Sequence, residues 1–286
     1  MGGVFAHLGL ELVQDMHRTR LKWHRLRRAL TDPEFGADVM AEGFRLGASM
    51  ELDLQVRSDG GFVVLHDDRL DRETNGRGRV ADFAGSDLTG LRYRTQDRGL
   101  ILSEELAEML PAAHPDALLQ FDLKNDFPKV GSRGVAHIAD LLGGQTRSII
   151  VSGACLRLIE ALGVAMPDLK RGVDPTDRLI DLWQSQGLAS VEAALLGELR
   201  EVNPNTVYLQ WGMLVQMARE GLDLVALAQA EGVLVDAWTH CLATPAAGFS
   251  EGEWPAFAAL MALRPDQITT DEAVATEAAW LARTGG

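Results

Sequence analysis

The chain has 286 residues, 47% of them hydrophobic and 24% charged, which suits a folded globular protein large enough for one α/β barrel. Its 27 Lys+Arg against 41 Asp+Glu give a net charge of −14. That balance argues against broad binding to nucleic acid or anionic membrane, so any phosphate chemistry needs a local positive pocket.

The opening Met1-Gly2-Gly3-Val4-Phe5-Ala6-His7 lacks a basic segment followed by an apolar core, and no run of about 18 apolar residues occurs. Neither a signal peptide nor stable membrane insertion is expected. Two cysteines far apart, Cys155 and Cys241, fit a reducing compartment, and the cytoplasm is the expected location. Residues 1–19 read as an N-terminal extension and 20–286 as a single domain. Strand-like runs at 20–24, 49–56, 118–123, 148–152, 169–173, 206–210, 233–238 and 267–270 alternate with helical patterns. Those helical patterns cover 33–46, 130–141, 155–162, 177–199, 222–229 and 254–263. Eight successive βα units predict a (β/α)8 TIM barrel. A doubly wound open sheet is the alternative, and no GxGxxG or P-loop follows the first strand to support it. Residues 57–100 break the alternation with a turn, a strand-like run and a polar glycine-containing loop. They read as an insertion at the barrel mouth after the second barrel strand.

Chemistry concentrates on two of these strands. In Ser49-Met50-Glu51-Leu52-Asp53-Leu54-Gln55-Val56, strand alternation puts Glu51, Asp53 and Gln55 on one face and the apolar residues on the other. Asp122 and Lys124 share a face in the same way. A single acidic strand residue is usually half of a structural ion pair. Three carboxylates, Glu51, Asp53 and Asp122, at these spacings favour an oxygen cage for one divalent cation, Mg²⁺ or Ca²⁺.

His66 ends the run Phe62–Leu65, and His24 ends the first strand, both where a strand becomes a loop. A lone histidine there is often incidental; a pair can act as complementary acid and base. Arg25 and Lys124 offer fixed positive charge to a phosphoryl group. The wider basic run 18–28 reads as a solvated face. Trp238, with Thr239, ends the seventh strand and lines the mouth or fills the core. His7, His17, His114, His137 and His240 lack a partner pattern, and no GxSxG, HExxH or CxxC is present.

Taken together, Gly47-Ala48-Ser49-Met50-Glu51-Leu52-Asp53-Leu54 and the run from Asp59-Gly60-Gly61 through His66-Asp67-Asp68-Arg69-Leu70-Asp71-Arg72-Glu73-Thr74-Asn75-Gly76 resemble the glycerophosphodiester phosphodiesterase family. Asp122-Leu123-Lys124, Ala237-Trp238-Thr239 and Ile268-Thr269-Thr270-Asp271 are weaker echoes. The resemblance implies a TIM barrel that hydrolyses a small-molecule phosphodiester with a divalent cation. By position it implies Glu51, Asp53 and Asp122 as metal ligands, His24 and His66 as the acid–base pair, and Arg25 and Lys124 as phosphate contacts. Three positions depart from it. Leu26 follows His24-Arg25 where Gly is usual, Asp122 stands where Glu is usual, and His240-Cys241 follows Thr239. The second departure resembles the lysophospholipase D and sphingomyelinase D-like branch. A metal-dependent sugar isomerase or aldolase shares the ligand types, and a non-catalytic binding barrel is the remaining alternative. A homo-oligomer is compatible with all of these.

Overall fold

The computed structural model describes residues 7–110 and 114–285, so all but His7 of the opening segment Met1–His7, in which no signal peptide is expected, lies outside the described residues. Ten strands occur among the described residues: β1 (Glu11–Gln14), β2 (His17–Trp23), β3 (Ser49–Val56), β4 (Phe62–Val64), β5 (Leu118–Leu123), β6 (Ile149–Ser152), β7 (Lys170–Val173), β8 (Thr206–Gln210), β9 (Leu234–His240) and β10 (Gln267–Thr270). Eight of them, all but β1 and β4, alternate with helices in the succession of a (β/α)8 barrel, the expected fold class. The chain resolves into two compact units, Asp32–Gly172 and the paired segments Met1–Thr31 and Val173–Gly286.

In the unit Asp32–Gly172, the strand order is β4-β3-β5-β6-β7. The helix Ala37–Leu46 ends at Gly47, whose left-handed φ of 79° turns the chain directly into β3. Every residue of β3 is buried, as a strand covered on both faces requires. The insertion is stitched to this sheet. β4 pairs antiparallel with β3, and the Tyr93 hydroxyl donates to the Val64 carbonyl at 2.7 Å. Leu70, Val80 and Leu88 bury the inner side of the insertion.

In the other unit, the order is β1-β2-β10-β9-β8. β1 pairs antiparallel with β2 across the turn Asp15-Met16, both with left-handed φ. That pairing starts β2 at His17, ahead of the expected residue 20, and leaves His24 in a tight turn just past the strand. β9 likewise continues to His240, two residues past the expected end. The helix expected over 177–199 is two, Thr176–Gln186 and Leu188–Val202, because Gly187 adopts φ 83° and ψ 179°. Only glycine takes that backbone readily, and it breaks the helical hydrogen-bond ladder.

Candidate active site

The expected acidic cluster forms in the unit Asp32–Gly172. Met50, Leu52 and Leu54 point to the apolar side of β3, while Glu51 and Asp53, only 4% and 1% exposed, point to the other. β5 runs parallel to β3 in a register that sets Asp122 directly opposite Asp53. Carboxylate oxygens of Glu51, Asp53 and Asp122 lie within 4.8 Å of one another. Lys124 Nζ reaches Asp53 Oδ1 at 2.8 Å and Asp122 Oδ2 at 2.5 Å. Burial, then the Glu51 charge, pushes the Asp53 carboxyl up to about 7, against the pull of Lys124. Burial by itself would lower the Lys124 pKa, but Asp122, Asp53 and Glu51 outweigh it and raise it. Two buried carboxylates and the half-buried Asp122, with one ammonium among them, form a hard-oxygen donor set with negative charge to spare, which fits a divalent cation.

Buried amides and a hydroxyl brace this cluster. Ser152 Oγ donates to Asp122 Oδ1 at 3.0 Å, and Gln120 Nε2 donates to Ser152 Oγ at 2.7 Å. On β3, Gln55 Nε2 donates to the His66 carbonyl at 2.7 Å, and Asn125 Nδ2 donates to Gln55 Oε1 at 2.9 Å. The carboxylate-bearing strand thus also anchors the backbone of His66.

His66 Nδ1 donates to Asp67 Oδ1 at 2.9 Å, and its backbone N–H donates to Glu73 Oε2 at 3.0 Å. Arg72 clamps Asp67 with hydrogen bonds of 2.6 and 2.7 Å and pairs with Glu73. The Arg72 hydrogen bond, ahead of the opposing effect of burial, brings the Asp67 carboxyl down to about 2. Burial raises that of Glu73. An ionised Asp67 only accepts hydrogen bonds, so the proton of neutral His66 sits on Nδ1 and the Nε2 lone pair is left for chemistry.

The other unit repeats the device. His24 Nδ1 donates to Asp271 Oδ1 at 2.8 Å, Arg27 donates to the same oxygen at 2.5 Å, and Cys241 Sγ donates to Oδ2 at 3.3 Å. Burial would raise the Asp271 pKa, but the hydrogen bond and charge of His24 and the Arg27 guanidinium hold it well below the usual carboxylate range. Arg25 and Leu26 have φ of 51° and 59°. A left-handed non-glycine residue costs roughly 1–2 kcal/mol. Complete burial of Leu26, a contribution of roughly 1.5–3 kcal/mol, offsets that strain. Trp238 is half-buried on β9, and its indole nitrogen has no hydrogen-bond partner among the described residues. His240 packs against Trp211 and Phe257 at ring-centroid distances of 5.3 and 4.6 Å, and burial pushes its pKa down to about 4.

A model of the glycerophosphoryl diester phosphodiesterase family matches residues 37–272. The chain belongs to the glycerophosphoryl diester phosphodiesterase family. The family match takes in Glu51, Asp53, His66, Asp122, Lys124, Trp238 and Asp271, and it starts after His24 and Arg25. A glycerophosphodiester phosphodiesterase from Caldanaerobacter subterraneus subsp. tengcongensis is 37% identical over 164 residues, 53% of this chain. The chain spans 65% of that relative's length. A phosphodiesterase from Oleispira antarctica, solved with the product sn-glycerol-3-phosphate, has the same fold with a TM-score of 0.66 at 17% identity. That comparison covers 91% of this chain and 95% of the other. A glycerophosphodiester phosphodiesterase from Thermotoga maritima gives 0.62 at 18% identity, covering 90% and 96%.

The partners of the two histidines, Asp67 and Asp271, carry no signal of that role in the sequence. Asp67, Arg72 and Glu73 lay inside the family-like run but carried no assigned role, and Asp271 stood in one of its weaker echoes. Arg27, expected on a solvated face, is mostly buried against Asp271. Ser152 and Asn125 have no local signal; Gln120 shares the strand face of Asp122 by alternation, without a role read for it.

Proposed function

We propose that the protein is a metal-dependent phosphodiester hydrolase acting on glycerophosphodiesters or related lipid-derived or sugar phosphodiesters. The observation that carries this reading is the gathering of buried Glu51 and Asp53 with half-buried Asp122, joined by Lys124, within a chain of this family. These carboxylates would hold one divalent cation, Mg²⁺ or Ca²⁺. Such a cation supplies Lewis-acid polarisation of a phosphoryl oxygen. Lys124 and Arg25 contribute positive charge to the phosphoryl oxygens as negative charge builds there. His24 and His66 each present Nε2 with Nδ1 committed to a carboxylate. One imidazole takes the proton of the attacking hydroxyl and the other protonates the departing alkoxide.

The Oleispira relative's product, sn-glycerol-3-phosphate, supports a glycerol phosphate as one product here. The partner is a small molecule, without nucleic acid. Among the described residues no helix is long and apolar enough to cross a membrane, and the two free cysteines support a cytoplasmic location. The test is a ³¹P NMR screen of glycerophosphodiesters with EDTA, then with added Mg²⁺ or Ca²⁺. Cleavage to a phosphomonoester or cyclic phosphate that EDTA abolishes and one cation restores is the expected result. Cation binding without turnover across the panel rejects hydrolysis, and a rearranged sugar or carbon–carbon cleavage product points to an isomerase or aldolase.

A further inference from the structure

β6 reads Ile149-Ile150-Val151-Ser152, three buried aliphatic residues and then a buried hydroxyl. Ser152 is only 1% exposed and lies directly opposite Asp122 in the parallel register of β5 and β6. A serine hydroxyl has one proton to give and lone pairs to accept with. Gln120 Nε2 donates into that oxygen at 2.7 Å, so the hydroxyl proton is directed at Asp122 Oδ1, 3.0 Å away. Lys124 takes the other carboxylate oxygen at 2.5 Å. Both oxygens of Asp122 are therefore held, Oδ1 from β6 by Ser152 and Oδ2 by Lys124, and the carboxylate plane is set.

We infer that Ser152, oriented by Gln120, is the positioning residue that aims Asp122 at the cation, an inference that rests on the cation-site reading above. The reason lies in side-chain length. Asp122 is one methylene shorter than the glutamate usual at this place in the family pattern, so its oxygens have less reach and must be aimed. A free carboxylate rotates about its own bond, and each rotation away from the ion loses an electrostatic contact. The Gln120–Ser152 pair removes that freedom before any ion arrives. Outer partners of metal ligands commonly account for 10–100-fold in metal affinity. A serine that only satisfied a buried polar group would affect stability and leave ion binding unchanged.

The experiment measures Mn²⁺ binding to the full chain by calorimetry and by electron paramagnetic resonance, without substrate. Ser152→Ala is expected to raise the Kd about 10–100-fold, and Ser152→Thr, which keeps the hydroxyl, restores it to near the wild-type value. Gln120→Met, which frees the hydroxyl to rotate, should fall between them and keeps the test open if Ser152→Ala fails to fold. Wild-type affinity in both Ser152→Ala and Gln120→Met overturns the inference while leaving the cation site intact. A wild-type chain that binds no Mn²⁺, or an Asp122→Ala variant that binds it equally well, overturns the cation-site reading and this inference with it.

Discussion

Asp53 and Asp122 face each other across the parallel pair β3 and β5, and Lys124 Nζ joins their carboxylates at 2.8 and 2.5 Å. Lys124 balances charge that burial would otherwise make costly. Lys124→Met is expected to destabilise the cation-free protein by about 2–4 kcal/mol, because it leaves carboxylates buried without their counter-charge. Added divalent cation should recover most of that loss. Urea unfolding with and without Mg²⁺ measures both; equal stability of variant and wild type in EDTA would show that the pairing contributes nothing.

His24 owes its tautomer to Asp271. In Asp271→Asn the neutral amide no longer selects the Nδ1–H form or balances Arg27, and turnover should fall about 10²–10⁴-fold with little change in KM. Nitrogen-15 NMR of the imidazole provides a separate readout. It should show Nδ1 protonated in the wild type and a mixture of tautomers in the variant. A variant with wild-type turnover and an unchanged spectrum rejects the pairing.

Lys22 and Asp236 form a second buried ion pair, 2.6 Å apart and 2% and 0% exposed. Thr269 Oγ1 donates to Asp236 at 2.7 Å, and Lys22 Nζ lies 4.5 Å from the centre of the Tyr208 ring. Asp236→Ala strands the ammonium and should cost about 3–5 kcal/mol, whereas the double change Lys22→Met with Asp236→Leu should cost far less. A double-mutant cycle in urea decides this, and strictly additive losses would contradict coupling between the two residues.

His240 makes stability depend on acid. Its pKa falls from the ordinary 6.5 to about 4 because it is buried among aromatic rings, with the Glu253 charge opposing weakly. Between those values the unfolded chain binds a proton that the folded protein does not. Stability is therefore full above about pH 6.5 and declines as pH drops towards 4, by at most about 3 kcal/mol from this group. His240→Phe should flatten that part of the curve. Parallel curves for variant and wild type between pH 6.5 and 4 would assign the acid loss elsewhere.

Short-range rules along the chain are enough for the features that depend on neighbouring residues. Alternation along 49–56 puts Glu51 and Asp53 on one face, and their carboxylate oxygens lie within 4.8 Å of each other. Strand–helix succession led to the barrel class. Boundaries shift where a contact or backbone conformation intervenes: pairing with β1 starts β2 at His17, and the Gly187 backbone, which helical periodicity does not register, splits the helix expected over 177–199.

The chain's own order of residues was enough to choose the fold class and the acidic strand face. Those features rest on strand–helix succession and on alternation every two residues along a strand, so neighbours suffice to read them. The tertiary structure supplied the partners: Asp271 lies 247 residues from His24, and Ser152 lies 30 from Asp122. Such pairs depend on the register between strands, which is set when the whole sheet buries its apolar faces, and no local spacing encodes it.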